Sequence, residues 1–380
     1  MSRVAAQPQV LALGPNTPER FYRGGGRILA FRGLPTPADF DGRRPEDWLA
    51  STTRLFAEDG EGLSVLPDGQ LLADVLAAEP QAWLGEEHVG RHGADPGLLV
   101  KLLDAAERLP VHSHPGRDFA TRHLGCAHGK TEAWLVVEAE PGAQVWLGFR
   151  RKLAEGELAQ AVAAQDDGLL AMLNPLEVTR GDAVLVPAGQ PHAIGSGVMV
   201  VELQEPTDFS VMLEHQRFGL DPEHAWLGLG PELALQSVAT APLTGADLEA
   251  LRTRWDTRPG LSEALPAEAA PYFTAQAADA SGGRVRLDAG FAVLVVVAGE
   301  GSAVPESGAP LTIASGQVLL VPYAAGRLTV EGAVTVLRCS PSRDPAAPGP
   351  DPVADPVPLV DPNPTEPNPN NRTASQPGGS

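Results

Sequence analysis

Short apolar runs bounded by turn residues dominate the pattern of hydrophobic positions along the chain. Four of these runs are rich in Val and Leu and are five or six residues long, at 98–103, 133–137, 183–187 and 198–203. Runs of this length between Gly and Pro predict β-strands rather than helices. The chain is therefore expected to be mostly β.

Two segments have helical spacing instead. Leu and Ala recur at helical intervals in 69–85, which Pro80 interrupts, and 151–173 predicts one or two helices. From Pro341 onward, twelve prolines mixed with Gly, Asn, Asp and Ser replace any apolar periodicity. Such a segment cannot offset its ordering entropy, so the sequence predicts a disordered C-terminal tail.

A weak internal repeat predicts two similar β-units. Residues 178–202 and 313–337 each have Gly before an apolar strand that ends in Pro, then a turn and a second strand. The alignment of the two segments sets His192 opposite Arg327. Histidine can bind a metal ion and arginine cannot, so only the first unit is expected to bind metal. The expected organisation is a metal-binding unit at 1–150 and 174–235, a helical segment at 151–173, a second unit without metal at 236–340, and the tail at 341–380.

The charge balance excludes two classes of partner. The formal net charge is −20, and a surface this acidic repels nucleic acid and anionic membranes.

The two cysteines, Cys126 and Cys339, exclude a disulfide framework and favour a reducing cytoplasm. Because no apolar stretch approaches 18 residues and the N-terminus has no apolar h-region before Phe21, we expect neither a membrane span nor a secretory signal.

The first candidate for chemistry is the pair His112 and His114. Alternate residues of a strand face the same side, so both imidazoles can point into one interior. Two imidazoles on one face form half of a divalent-metal site. Taken alone, the pair is also compatible with surface or hydrogen-bonding histidines.

A carboxylate at the start of an apolar strand supports the metal hypothesis. Lys130, Glu132 and Trp134 share one face of that strand. Glu132 needs a partner there, because burying an unpaired charge costs free energy. A bound cation would supply this partner, and so would an ion pair with Lys130.

The segment from Gly181 to His192 supplies a third histidine. Its pattern, Gly-x5-Pro-x-Gly-x2-His, matches the second signature motif of the cupin superfamily without a gap. Together with the earlier residues, it gives a set of three histidines and one glutamate. Such a set suits Zn²⁺, Mn²⁺, Fe²⁺ or Co²⁺.

Longer stretches resemble the type I phosphomannose isomerases, specifically their short bacterial forms. The resemblance spans about residues 10–340 and is carried by LLVKLLDAAERLPVHSHP, HGKTEAW and LVPAGQPHAIGSGVMVVELQEPTDFS. It implies two cupin-type jelly-roll barrels, the second degenerate. It also implies one zinc ion and the interconversion of mannose 6-phosphate and fructose 6-phosphate.

The resemblance also assigns residues. It implies a metal site formed by His112, His114, Glu132 and His192, where His112 replaces the glutamine usual in the family. Lys130 falls on a family lysine that suits proton transfer or substrate orientation. The family's substrate cavity lies near Glu202 and Asp208.

Two departures from the family pattern concern the substrate. Gly116-Arg117 stands where the family has an aspartate pair, and Met212 stands where the family has an active-site arginine. That arginine helps to hold the phosphate or the developing enediolate. Arg217 could replace it, with His215 nearby, although Arg217 could equally be an ordinary exposed arginine.

The sequence therefore predicts a cytoplasmic aldose–ketose isomerase that works through a cis-enediol on a sugar or sugar phosphate. Lys130 is the candidate base, and His215 is the alternative. Because Met212 weakens phosphate recognition, two further hypotheses stay open. One is an isomerase of a non-phosphorylated sugar, and the other is a sugar-binding cupin without catalysis.

Overall fold

The computed structural model describes residues 8–56, 61–256 and 258–344. Within these ranges, strands outnumber helices. The strands are β1 (Leu11–Ala12), β2 (Glu46–Leu49), β3 (Leu99–Ala105), β4 (His112–Ser113), β5 (Glu132–Ala139), β6 (Gln144–Phe149), β7 (Leu173–Glu177), β8 (Asp182–Val186), β9 (His192–Ile194), β10 (Val198–Gln204), β11 (Val211–Met212), β12 (Arg252–Arg254), β13 (Gly260–Glu263), β14 (Phe273–Asp279), β15 (Val285–Leu287), β16 (Ala292–Pro305), β17 (Leu311–Ala314), β18 (Val318–Val321) and β19 (Leu328–Pro341).

The helices are short and lie mainly in the first two thirds of the chain. They are α1 (Gly26–Phe31), α2 (Leu72–Ala78), α3 (Pro80–Leu84), α4 (Glu86–His92), α5 (Arg117–His123), α6 (Glu157–Ala164), α7 (Gly168–Ala171), α8 (Pro222–Ala225), α9 (Pro231–Ala234) and α10 (Gly245–Ala250). Single 3-10 turns occur at Gln216–Phe218, Leu235–Ser237, Ala267–Ala269, Ala280–Gly282 and Tyr323–Ala325.

The strands form three antiparallel sheets. Sheet I has six strands in the order β12-β8-β5-β10-β3-β2, and sheet II has five in the order β11-β4-β9-β6-β7. Sheet III follows the path β1-β18-β16-β19-β14-β13, with β15 paired to β19 and β17 paired to β16. Sheets I and II carry the candidate site, and sheet III is built almost entirely from the last third of the chain.

The four apolar runs that predict strands lie in sheet I. They correspond to β3, β5, β8 and β10, and every residue of β3 and β10 is buried. Both faces of these strands are covered, which explains why their sequences are continuously apolar instead of alternating. A lysine and a glutamate within the runs, Lys101 and Glu202, are therefore buried charges.

The two predicted helical segments also fold as expected. Residues 69–85 contain α2 and α3, and Pro80 begins α3 at a position where its missing N–H costs nothing. Residues 151–173 contain α6 and α7. No helix in the described ranges is long and apolar enough to cross a membrane.

Sheet III holds the second copy of the internal repeat. Its strands β16, β18 and β19 enclose an apolar core that includes Leu294, Leu319 and Val336. Arg327, the counterpart of His192, is exposed and pairs with Glu306 at 3.2 Å. Two strands cross between the predicted units, because β1 pairs with β18 and β12 pairs with β8. The exact domain boundaries stay a prediction.

The predicted tail begins inside the fold. Pro341 is the last residue of β19 and pairs with Phe273 of β14. The part of the predicted tail from residue 345 onward lies outside the described residues.

Gly299 offers a test of how tightly β16 and β19 are joined. Its φ is +73°, and an added Cβ would lie 1.8 Å from the carbonyl oxygen of Ala333. Gly142 has a similar φ of +76° with open space around it. We expect Gly142→Ala to lower the free energy of unfolding by about 1–2 kcal/mol and Gly299→Ala to lower it by about 1–3 kcal/mol more. Urea denaturation measures both, and equal losses would contradict the close approach of the two strands.

Candidate metal centre

The four predicted ligand residues come from both sheets and meet in the interior. His112 of β4 lies directly opposite His192 of β9 in sheet II, and His114 comes immediately after β4. Glu132 begins β5 in sheet I. All four side chains are buried. Residues 80 positions apart in the sequence thus face one another.

The distances show how closely these side chains converge. The ring centroids of His112 and His192 are 4.2 Å apart, and that of His114 lies 4.9 Å and 4.8 Å from them. One ring nitrogen from each histidine lies within 4.8 Å of the other two. Glu132 Oε2 lies 3.0 Å from His114 Nε2, and its Oε1 lies 3.3 Å from His192 Nε2.

Backbone carbonyls set the tautomer of each histidine. The Nδ1 atoms of His112, His114 and His192 lie 2.9, 2.8 and 2.9 Å from the carbonyl oxygens of Pro110, Phe209 and Gln190. A carbonyl oxygen can only accept, so each Nδ1 carries the proton and each Nε2 keeps a lone pair. Hydrogen bonds of this kind orient metal-binding histidines in many proteins.

Burial controls the charge of these groups. It lowers the pKa of His112 far below the ordinary histidine value and that of His114 to about 3, with Lys130 adding to the effect at His114. Burial opposes ionisation of Glu132, but Lys130 and the facing histidines outweigh it and lower the pKa of that carboxyl. Burial thus favours the neutral imidazoles of His112 and His114, and the facing basic groups favour the carboxylate form of Glu132.

This arrangement places hydrogen-bond acceptors against one another. Glu132 Oε2 and His192 Nε2 are buried atoms without a hydrogen-bond partner in the described structure. Lys130 Nζ compensates in part, at 3.0 Å from His114 Nε2 and 3.3 Å from Glu132 Oε2. A divalent cation would satisfy all four groups, and three nitrogens with one oxygen are a donor set that Zn²⁺ accepts. These residues could therefore hold a metal.

A cavity opens beside this cluster. The side chains around it are unusually charged for a buried surface, and they include Arg20, Glu46, Lys101, Lys130, Glu132, Glu202 and Asp208. His112 and Met212 also line it. The two residues predicted near a substrate cavity, Glu202 and Asp208, thus share one cavity with Lys130.

Lys101 organises the far wall of the cavity. Its Nζ lies 3.3 Å from Glu46 Oε2, 3.6 Å from Glu202 Oε2 and 4.6 Å from the centre of the Trp48 ring. Register explains the contacts, because Lys101 of β3 stands between Trp48 of β2 and Glu202 of β10. Tyr22 Oη and Trp48 Nε1 donate to Glu46.

The sequence analysis did not predict three residues of this wall, Lys101, Glu46 and Arg20. Lys101 had a usable signal, because a lysine inside the apolar run 98–103 is either exposed or paired in the interior. Glu46 and Arg20 had no comparable signal. They reach the cavity through contacts that only the tertiary structure creates.

Arg217 and His215 lie outside the cavity beside the histidine cluster. Arg217 belongs to the 3-10 turn Gln216–Phe218, is exposed, and pairs with Asp167 at 3.1 Å. The His215 ring packs against Trp226 at 5.4 Å between centroids. Neither side chain is among the residues that line the cavity. Their catalytic assignment stays a prediction that gains no support from this placement.

The antiparallel sheets and the inward-facing histidine cluster define a cupin-type protein with a candidate metal centre. Two solved structures of mannose 6-phosphate isomerases share its fold. The enzyme from Bacillus subtilis has a TM-score of 0.68 at 22% identity, covering 87% of this chain and 99% of its own. A mannose 6-phosphate isomerase bound with zinc and yttrium has a TM-score of 0.66 at 16% identity, covering 88% of this chain and all of its own.

Sequence comparison points to the same group. The mannose-6-phosphate isomerase of Streptococcus mutans is 36% identical over 188 residues, which are 49% of this chain and 54% of that protein. Mannose-6-phosphate isomerase ManA of Bacillus subtilis is 30% identical over 191 residues, which are 50% and 56%. No protein-family model matches the chain. The aligned region spans about half the length of these curated relatives.

The predicted resemblance to phosphomannose isomerases and the predicted mostly β, two-barrel fold are thus confirmed.

Metal content tests the histidine cluster directly. We expect the purified protein to hold about one zinc per chain and His192→Ala to bind zinc at least roughly 10- to 100-fold more weakly, because one ligand nitrogen is lost. His128→Ala is the matched control, since His128 pairs with Asp95 outside the cluster. Elemental analysis after dialysis against a chelator measures the difference. Equal zinc retention in both variants would contradict the site.

The raised pKa of Glu202 should make the stability of the protein depend on pH. Burial, aided by the charge of Glu132 and opposed by Lys101, raises the pKa of Glu202 from 4.5 to about 7. The folded protein then binds more protons than the unfolded chain between those values. The free energy of unfolding should therefore fall as the pH rises from 4.5 to 7, by up to about 1.4 kcal/mol per pH unit for this group.

Glu202→Gln should remove this contribution, and Glu249→Gln, at an exposed position of α10, should leave it unchanged. Urea denaturation of chelator-treated protein at several pH values provides the measurement. If the Glu202→Gln profile kept the full slope of the parent protein, the buried carboxyl would not be its source.

Proposed function

We propose that the protein is a zinc-dependent aldose–ketose isomerase that interconverts mannose 6-phosphate and fructose 6-phosphate. The observation that carries this proposal is the convergence of four buried acceptors beside a cavity that also contains Lys130, Glu202 and Asp208. The activity named for the curated relatives supports the choice of reaction.

Under this proposal, His112, His114, Glu132 and His192 bind the zinc ion. When bound there, zinc supplies Lewis acidity that polarises the sugar carbonyl. The replacement of the family's glutamine by His112 keeps a neutral donor, because burial holds the pKa of that imidazole far below neutrality. The nitrogen of His112 that faces the cluster thus stays free of protons at physiological pH.

Lys130 is the group we assign to proton transfer. Its side chain is 6% exposed, lines the cavity, and lies beside the metal cluster instead of in solvent. The base removes the C2 proton of the open-chain aldose and returns it to C1, while the hydroxyl proton at O2 moves to O1. The intermediate is a cis-enediol.

Glu202 can assist the proton movement between the two oxygens. With a pKa of about 7, its carboxyl can hold or release a proton near neutral pH. Asp208 faces the same cavity and can accept hydrogen bonds from sugar hydroxyls.

One observation favours a second candidate substrate. Met212 lines the cavity at the position where the related family has an arginine, and a thioether cannot donate a hydrogen bond to phosphate. An isomerase of a non-phosphorylated sugar is therefore the alternative. A cytoplasmic location fits either substrate and stays a prediction.

Turnover measured by NMR tests the proposed reaction. The zinc-loaded protein should convert mannose 6-phosphate to an equilibrium mixture with fructose 6-phosphate. Solvent deuterium should appear at C1 of the product if the transferred proton exchanges on the base. Sugar binding without any product over hours would contradict catalysis.

Lys130→Ala tests the assigned base. We expect kcat to fall by roughly 10²- to 10⁴-fold, the usual contribution of general acid–base catalysis, while zinc stays bound. Lys152→Ala is the control, because Lys152 is exposed and lies outside the cavity. Full turnover of Lys130→Ala with a normal zinc content would show that another group moves the proton.

A further inference from the structure

Arg20 enters the cavity from the segment that precedes Tyr22. Its side chain is 14% exposed, more than that of either lysine in the same cavity. The two terminal nitrogens lie 3.3 and 3.4 Å from the carboxylate oxygens of Asp208. Its Nε lies 3.2 Å from Glu46 Oε1 but makes no hydrogen bond.

These contacts leave hydrogen-bonding capacity on Arg20. A guanidinium carries five N–H donors, and Asp208 occupies one on each terminal nitrogen. Each of these nitrogens keeps a second N–H. Both contacts to Asp208 are also longer than the 2.7–2.9 Å typical of strong charge-assisted hydrogen bonds, so Asp208 orients the guanidinium without saturating it.

The other two basic side chains of the cavity already have roles or partners. Lys101 is 3% exposed at its side chain and stands between Glu46, Glu202 and the Trp48 ring. Lys130 is 6% exposed, contacts His114 and Glu132, and is the group assigned above to proton transfer. Of the basic side chains that line the cavity, Arg20 is therefore the one with donors and exposure available for an incoming anion.

Met212 cannot perform that role, although it shares the cavity. It pairs with His112 in the ladder of β11 and β4, and its thioether has no donor. Arg20 is tied to the same chain segment, because Asp208 lies four residues before Met212. The guanidinium of Arg20 thus faces the cavity that Met212 leaves without a donor.

We propose that Arg20 binds the phosphate of the sugar substrate and sets the preference for phosphorylated over neutral sugars, with Asp208 as the residue that positions its guanidinium. The planar pair of terminal N–H groups matches phosphate geometry, which an ammonium does not. The identity of the sugar rests on the function proposed above. The preference for an anion can be measured independently of turnover.

The experiment compares binding of mannose 6-phosphate and of mannose to zinc-loaded protein by calorimetry, together with NMR turnover. The variants are Arg20→Gln, Arg20→Lys and the double variant Arg20→Gln/Met212→Arg. Arg27→Gln is the matched control, because Arg27 also pairs with a buried carboxylate, Asp104, but lies outside the cavity.

We expect the parent protein to bind mannose 6-phosphate more tightly than mannose. Arg20→Gln should weaken binding of mannose 6-phosphate by roughly 10- to 100-fold, as expected for hydrogen bonds to a charged group, and leave mannose binding unchanged. Arg20→Lys should lie between the two, and the double variant should regain the preference. The change should appear in KM more than in kcat, because the phosphate is remote from the reacting carbons.

An unchanged phosphate preference in a folded Arg20→Gln variant would overturn the inference. If that variant does not fold, Arg20→Lys decides, and a full preference without the planar donor pair would also overturn it. A parent protein with no preference for mannose 6-phosphate overturns the inference whatever its turnover. A parent protein that has the preference, loses it in Arg20→Gln and makes no fructose 6-phosphate contradicts only the proposed reaction.

Discussion

The structure depends on four buried hydrogen-bond acceptors that face one another. The Nδ1–H groups of the three imidazoles donate to backbone carbonyls, so their Nε2 lone pairs remain free, and those of His114 and His192 lie against the Glu132 carboxylate. Without a cation between them, this arrangement is unfavourable, because lone pairs repel at contacts of 3.0–3.3 Å. A divalent cation bound here would remove this conflict and would link Glu132 of sheet I to His112 and His192 of sheet II.

The cavity next to this cluster also has buried charged groups, and ion pairs balance them. Lys101 and Arg20 each face two carboxylates, so the wall is charged but internally compensated. Such a network is costly to disrupt and fixes the positions of its members. Arg20 keeps free N–H donors in this wall, whereas Arg217 is exposed outside the cavity, so the proposed preference for phosphorylated sugars rests on Arg20.

Local patterns in the sequence identified the three histidines and the glutamate that the structure brings together. The spacing of His112 and His114 and the Gly-Pro framework before His192 are short-range features that place side chains on one face of a strand. The apolar runs predicted β3, β5, β8 and β10 because both faces of these strands are buried. Strands β1 and β11 have only two residues each, too few to show any periodicity.

The cavity wall could not be predicted in the same way. Arg20 and Asp208 are 188 positions apart and come together only in the tertiary structure. Arg217 illustrates the opposite case: its position five residues after Met212 suggested a substitute, but the 3-10 turn carries it to the surface. Strand β11 ends at Met212 and Arg217 does not line the cavity, so its assignment stays a prediction without support from its placement.

X-ray absorption spectroscopy of the metal in the purified protein tests whether the three histidines and Glu132 bind one ion. We expect a zinc edge with three histidine nitrogens at about 2.0–2.1 Å and a carboxylate oxygen at about 2.0–2.2 Å. A metal without histidine scattering, or one bound through sulfur, would contradict the convergence of these four side chains on one ion.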